Sequence, residues 1–150
     1  MNGPARRWFE EIEVGEAYES PGRTVTEADI VLFAGLSGDY NILHTDAEFM
    51  KASIFGERIA HGLLGLAIQS GLFTRAGIPY ATLGAGTLRW KFKGPIKIGD
   101  TIRVEQKVTG KRETKRPTQG IVFFHVALMN QRDEIVQEGE WKIMMIRKGA

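Results

Sequence analysis

The feature that most limits the possible folds of this chain is a long apolar helix predicted from His61 to Ala76. Its apolar side chains fall on nearly every side of a helix: Leu63, Leu64, Leu66, Ala67, Ile68, Leu72 and Phe73. A helix that is apolar around its circumference has to be covered by other parts of the protein. We therefore expect a buried central helix, which Gly77 and Pro79 end.

After Pro79 the spacing of apolar residues changes from helical to alternating, which predicts strands. Leu88, Trp90 and Phe92 alternate with polar neighbours in the first of them. Three further strands are predicted at 102–111, 121–129 and 135–145, with turns at 94–95 and 99–100. The third strand is apolar on both faces, which is typical of a central position. The pattern indicates an antiparallel meander.

One long helix followed by about four strands favours an α+β domain in which an antiparallel sheet wraps around a single helix. The length of 150 residues, 43% of them apolar, suits one compact domain with its own core. Apolar spacing alone does not distinguish this arrangement from other α+β sandwiches.

Composition removes several classes of function. The chain has no cysteine, which excludes disulfides, thiolate nucleophiles and cysteine-based zinc sites. No stretch reaches the roughly 18 to 20 apolar residues of a membrane span, and the first residues lack the apolar core of a signal peptide. We expect an unexported, cytoplasmic protein. The net charge of +2 is mild and indicates neither a nucleic-acid nor a membrane partner.

The first half of the chain predicts short helices separated by a polar loop. After a lead-in segment with a short strand (9–24), Thr26 and the acidic residues that follow it form a helix start, and that helix runs to about Leu36. Gly38 suits the left-handed conformation that ends helices. The loop from Asp39 to Asp46 follows, and Asp46 caps a second, short helical segment.

This loop and the start of the long helix carry two informative strings. Residues 37–44 read SGDYNILH and residues 60–62 read AHG. The first resembles the signature of MaoC-like dehydratases and (R)-specific enoyl-CoA hydratases, roughly S/T-G-D-x-N-P-hydrophobic-H, and the second resembles their A/V-H-G. The resemblance implies a single hot-dog domain over residues 1–150, which pairs into a homodimer or higher homo-oligomer. One departure is Ile42 in place of the family's proline, which predicts a looser loop.

The resemblance also implies an activity, the reversible hydration of 2-enoyl thioesters. That reaction needs a group that takes a proton from water, a group that protonates C2, and a donor that stabilises charge on the thioester oxygen. The resemblance assigns the first two roles jointly to Asp39 and His44, without fixing which is base and which is acid. It assigns the third to the backbone N–H of Gly62, at the positively charged end of the helix.

Other residues are expected to support the site. Asn41 braces the loop, His61 shapes the start of the helix and Leu63 belongs to the candidate acyl pocket, so that these three form the expected substrate-binding set. The substrate is an acyl-CoA or acyl-carrier thioester, and no separate cofactor is expected, because coenzyme A is part of the substrate. A metal site is not favoured, although Asp39, His44, Asp46 and His61 are possible ligands.

Several alternatives stay open at this point. Lysines and arginines between Lys107 and Arg116 either contact coenzyme A phosphates or, as we favour, form a solvated hairpin tip. His125, inside a strand, is expected to be structural. At the level of the whole protein, a hot-dog acyl-CoA thioesterase and a non-catalytic acyl-CoA-binding or accessory subunit remain alternatives to the hydratase.

Overall fold

A computed structural model describes residues 6–77 and 79–150. A short 3-10 helix at Phe9–Glu11 precedes four α-helices. These are α1 (Glu27–Ser37), α2 (Ile42–Thr45), α3 (Ala47–Lys51) and α4 (Gly62–Phe73). None of the helices in these two ranges combines the length and apolar character that crossing a lipid bilayer requires.

The strands of the described residues form one antiparallel sheet. They are β1 (Ala17–Glu19), β2 (Arg23–Thr24), β3 (Thr82–Phe92), β4 (Thr101–Glu113), β5 (Gln119–Met129) and β6 (Ile135–Ile146). The order is β1-β4-β5-β6-β3, and β2 also pairs with β4. The predicted α+β class is therefore confirmed.

The predicted meander is correct for β4, β5 and β6 but wrong for β3. That strand lies at the edge of the sheet beside β6, not beside its successor β4. Alternation tells which face each residue occupies and says nothing about which strand lies next to it, so the sequence did not contain this pairing. The inner face of the sheet carries Val104, Val122, Phe124 and Trp141, which join the core.

Helix α4 packs on that inner face, and it is buried on one side only. Leu64, Leu72 and Phe73 are buried, and Phe73 makes aromatic contacts with Phe124 and Trp141. The side chain of Leu63, in contrast, is 60% exposed. The expectation of a helix covered all round is wrong for this single chain, because one sheet covers one side of a helix.

The lead-in segment is tied to the far end of the sheet. The ring of Phe9 lies against Gly120, where a β-carbon would come within 2.2 Å of it. The ammonium group of Lys111 donates to the carbonyl oxygens of Phe9 and Ile12, each at 2.8 Å. Lys111 thus has a structural partner, whereas Lys115 and Arg116 lie exposed in the hairpin tip that the sequence favoured.

Candidate active site

The position of Asp39 is set by the end of α1. Thr26 and Asp29 form a capping box at the start of this helix, as predicted. At its other end Gly38 adopts the left-handed conformation, with φ of 76°. The chain turns there, and Asp39 follows immediately with its side chain at the surface. A carboxylate oxygen of Asp39 accepts a hydrogen bond from the backbone of Asn41 at 3.2 Å.

Asn41 holds the next turn, which the sequence had predicted as loop. Its amide oxygen accepts from the backbone N–H of Leu43 at 3.0 Å and so caps the four-residue helix α2. Ile42 is the first residue of that helix. The first position of a helix also suits proline, so the proline of the resembling motif and Ile42 are both compatible with this turn.

His44 lies on α2 and is buried, with 8% of its surface exposed. Its Nδ1 lies 2.8 Å from the carbonyl oxygen of Ile59. A carbonyl oxygen only accepts, so Nδ1 carries the proton in this hydrogen bond. In the neutral imidazole the other nitrogen, Nε2, then has a free lone pair and can accept a proton from water.

His61 reaches the same place from a different segment. It is the N-cap residue of α4 and only 2% exposed. Its Nε2 lies 2.9 Å from the backbone oxygen of Asp39, and its ring stacks on that of His44 with centroids 3.8 Å apart. His61 therefore links the start of α4 to the loop that carries Asp39 and His44.

These contacts bring three titratable side chains together. One carboxylate oxygen of Asp39 and one ring nitrogen each of His44 and His61 lie within 4.8 Å of one another. Two acceptors at such a separation can share one water molecule at ordinary hydrogen-bond lengths of about 2.8 Å. Asp46 is separate from this cluster, since it caps α3 through the N–H of Phe49, as predicted.

The same three groups are of the kinds that bind a transition metal. Each imidazole, however, already uses one nitrogen on a backbone carbonyl oxygen. Each histidine therefore has at most one nitrogen left for a water molecule or an ion. The expectation that no metal takes part stays a prediction.

Gly62 begins α4 beside a cavity of about 400 Å³. The cavity is lined by His44 and Gly62 together with Leu43, Phe55, Ile59, Ala60, Phe92, Lys93, Gly94, Pro95, Ile96 and Gln137. The N–H groups in the first turn of a helix have no partner inside the helix and carry partial positive charge. The arrangement thus places a candidate anion-stabilising helix end and an imidazole on one cavity wall.

Sequence reasoning missed two side chains of this wall, Phe92 and Gln137. The ring of Phe92 lies so close to Gly62 that a β-carbon there would be 2.9 Å from two of its atoms. Gln137 is buried and donates to the carbonyl oxygen of Gly62 at 3.0 Å. The one available signal was a glutamine in inward register with Trp141 and Ile143 on an otherwise apolar face. Leu63 is not among the lining residues, and its role in substrate binding stays a prediction.

The comparison with protein families shows which family this chain belongs to. The model of the MaoC like domain matches residues 10–126. The chain belongs to the MaoC-like domain family. An (R)-specific enoyl-CoA hydratase of Rhodospirillum rubrum is 36% identical over 95% of this chain and 94% of its own length. A 3-hydroxybutyryl-CoA dehydratase of Methylorubrum extorquens is 32% identical over 94% and 85%. Protein MaoC of Klebsiella aerogenes is 45% identical over 74% of this chain, which spans only 32% of that longer protein.

Solved structures agree with this assignment. The MaoC-like dehydratase from Rhodospirillum rubrum superimposes with a TM-score of 0.86 at 32% identity, over 96% of this chain and 99% of its own. A Mycobacterium tuberculosis protein described as a double hotdog fold gives 0.86 at 18% identity, over 96% of this MaoC-like chain and 45% of its own. The likeness to that protein shows the fold alone, and it confirms the predicted hot-dog fold.

Proposed function

We propose that this MaoC-like protein catalyses the (R)-specific hydration of 2-enoyl-CoA thioesters to (3R)-3-hydroxyacyl-CoA, and the reverse dehydration. The observation that carries the proposal is the meeting of Asp39 and His44 within 4.8 Å beside the cavity that Gly62 lines. The names of relatives that align along most of the chain support the same reaction.

In this proposal Asp39 and His44 hold one water molecule between them. The water oxygen forms a bond to C3 of the substrate while one of its protons passes to the pair, and a proton from the pair goes to C2. His44 is held for this exchange by its Nδ1–H bond to the carbonyl oxygen of Ile59, which leaves the lone pair of Nε2 free to accept from the water. Because both groups contact the same water molecule in this proposal, base and acid are assigned to the pair and not to one residue each.

Charge develops on the thioester oxygen as the bond to C3 forms. The N–H of Gly62, in the first turn of α4, is the donor we assign to this oxygen. A donor fixed in place before the reaction stabilises such charge without reorganising, and loss of one such donor typically costs about 10² to 10³ in kcat. Asn41 and His61 keep the loop and the helix end in register through their bonds to Leu43 and Asp39.

The proposed partners follow from the same chemistry. The substrate is an acyl-CoA or acyl-carrier thioester, and the reaction requires neither a metal nor a separate cofactor. We also propose a homodimer: β3 is an edge strand, and Leu83, Phe92 and Leu63 expose apolar side chains that a second copy would cover. Analytical ultracentrifugation would contradict this if it showed a monomer at micromolar concentration. Cytoplasmic location stays a prediction.

The test of the function is hydration of crotonyl-CoA, followed by loss of the enoyl thioester absorbance and by the chirality of the product. Wild type should form (3R)-3-hydroxybutyryl-CoA, and Asp39→Asn and His44→Ala should each abolish turnover. Matched controls away from the site, Asp133→Asn and His125→Ala, should keep the wild-type rate. Dialysis against EDTA should leave that rate unchanged.

Two results would contradict the proposal. One is the absence of hydration by wild type on crotonyl-CoA and on longer and branched enoyl-CoAs. The other is release of free coenzyme A, which would indicate thioester hydrolysis and favour the thioesterase. Binding of acyl-CoA without any turnover would favour an accessory subunit.

A further inference from the structure

Gln137 is a buried polar side chain whose two amide atoms are both engaged. It is 2% exposed and lies on β6 between Leu128 of β5 and Phe92 of β3. Its Oε1 accepts from the indole Nε1 of Trp90 at 2.8 Å, and its Nε2 donates to the carbonyl oxygen of Gly62 at 3.0 Å. Because an indole N–H only donates, the Trp90 bond fixes the amide oxygen on the tryptophan side and the nitrogen on the Gly62 side.

Two glycines leave the space that the side chains of Gln137 and Trp90 occupy. A β-carbon at Gly65, one turn into α4, would lie 2.3 Å from the Nε2 of Gln137. A β-carbon at Gly139 would lie 2.0 Å from the carbonyl oxygen of Arg89 and 2.5 Å from the ring of Trp90. Both positions therefore require glycine if Gln137 and Trp90 are to stay where they are.

The bond to Gly62 acts on the part of α4 that faces the cavity. The carbonyl of Gly62 belongs to the first turn, whose N–H groups have no partner in the helix. A side-chain donor on that carbonyl fixes the orientation of the Gly62–Leu63 peptide. The adjoining peptide, between His61 and Gly62, carries the Gly62 N–H, so this N–H is held through the backbone of Gly62. Gln137 and Gly62 line the cavity together with His44, so this restraint lies at the site itself.

We infer that Gln137 is a positioning residue, which holds the first turn of α4 so that the Gly62 N–H points at the thioester oxygen, while Trp90 sets the orientation of its amide. The inference rests on the proposed hydratase function. Gln137 acts through Gly62, so its loss should lower kcat while KM for the enoyl thioester changes little.

The deciding variant is Gln137→Glu. An ionised glutamate still accepts from Trp90 but cannot donate to Gly62, whereas a protonated glutamic acid can. We expect kcat to fall by about 10²-fold where the carboxyl is ionised. Burial raises the pKa of a carboxyl group, so the ratio of variant to wild-type kcat should rise as the pH is lowered. Gln137→Met removes the donor without adding charge, and so separates the lost hydrogen bond from the effect of a buried carboxylate.

Two further variants keep the test valid if the glutamate disrupts folding. Gln137→Met keeps the approximate volume without any donor and should be slow at every pH. Trp90→Phe leaves the Gln137 amide in place but lets it rotate. The kcat of this variant should therefore lie between those of wild type and Gln137→Met. The control is Glu140→Gln, on the opposite face of the same strand, which should match wild type. A wild-type kcat in Gln137→Met would overturn the inference.

Backbone hydrogen exchange separates this inference from the proposed function. In the ligand-free protein, Gln137→Met should speed exchange of the Gly65 and Leu66 amides, which follow the unpaired N–H groups at the start of α4, and Glu140→Gln should not. If wild type shows no hydration but this exchange pattern appears, the function is wrong and the positioning role is retained. If wild type is active and the exchange is unchanged, the positioning role is wrong.

Discussion

Gly62 has room for a hydrogen atom but not for a methyl group. A β-carbon there would lie 2.9 Å from the Cδ1 and Cε1 atoms of Phe92, which itself lines the cavity. Gly62→Ala should therefore push the ring toward the substrate and lower kcat/KM. The matched control is Gly71→Ala on the same helix, where nothing lies within 4 Å of the new methyl group.

Gly71→Ala should raise the free energy of unfolding by about 0.5 to 1 kcal/mol, since glycine is unfavourable inside a helix, and should leave activity unchanged. Urea unfolding measures the stability of both variants, and the crotonyl-CoA assay measures their activity. Equal activity of Gly62→Ala and wild type would show that no close approach occurs at Gly62.

Helix α1 offers a second pair of glycines with opposite expectations. Gly38 has a φ of +76°, whereas Gly35 lies within the helix and has only the hydroxyl of Tyr40 near, at 3.8 Å. Gly38→Ala should lower the free energy of unfolding by about 1 to 2 kcal/mol, because the left-handed conformation places a β-carbon against the backbone. Gly35→Ala should be neutral or stabilising.

The Gly38 variant should also lose activity, since it disturbs the turn that presents Asp39. Thermal and urea unfolding, together with the hydration rate, measure these effects. A Gly38→Ala protein as stable and as active as wild type would mean that the end of α1 does not set the position of Asp39.

The helices could be predicted from the sequence where the signal was local. Thr26 and Asp29 cap α1 and Asp46 caps α3, each within three residues along the chain. Asp39, His44 and Gly62 could be predicted as site residues because they belong to a recognisable sequence motif. Gln137 did not, because its bonds to Trp90 and Gly62 span 47 and 75 residues. The pairing of β3 with β6 could not be predicted for the same reason, because contacts between residues far apart in the sequence produce no periodic pattern of apolar residues.

The packing of the whole molecule makes its stability depend on pH through Tyr80. Burial raises the pKa of this phenol to about 12, against an ordinary value near 10. Tyr80 packs against Phe73 and Phe124, which join helix α4 to the sheet. Above pH 10 the unfolded chain loses this proton while the folded protein keeps it, so stability falls as the pH rises from about 10 to 12.

Tyr80→Phe should remove this decrease in the free energy of unfolding between pH 10 and pH 12, while the free energy of unfolding near pH 8 changes little. Urea unfolding of the two proteins at intervals from pH 8 to pH 12 measures the difference. Parallel curves for wild type and variant would show that Tyr80 ionises equally in both states.

The ties of the lead-in segment also have a consequence for how the chain folds during synthesis. Glu10 pairs with Arg147 and accepts from the backbone of Lys148, across 137 and 138 residues of sequence. At a translation rate of about 5 to 20 residues per second, the emerging chain waits on the order of ten seconds before these partners exist. The 3-10 helix at Phe9–Glu11 leaves the ribosome well before its partners and is thus among the last elements to dock. The ring of Phe9 stays uncovered until strand β5 has placed Gly120 against it.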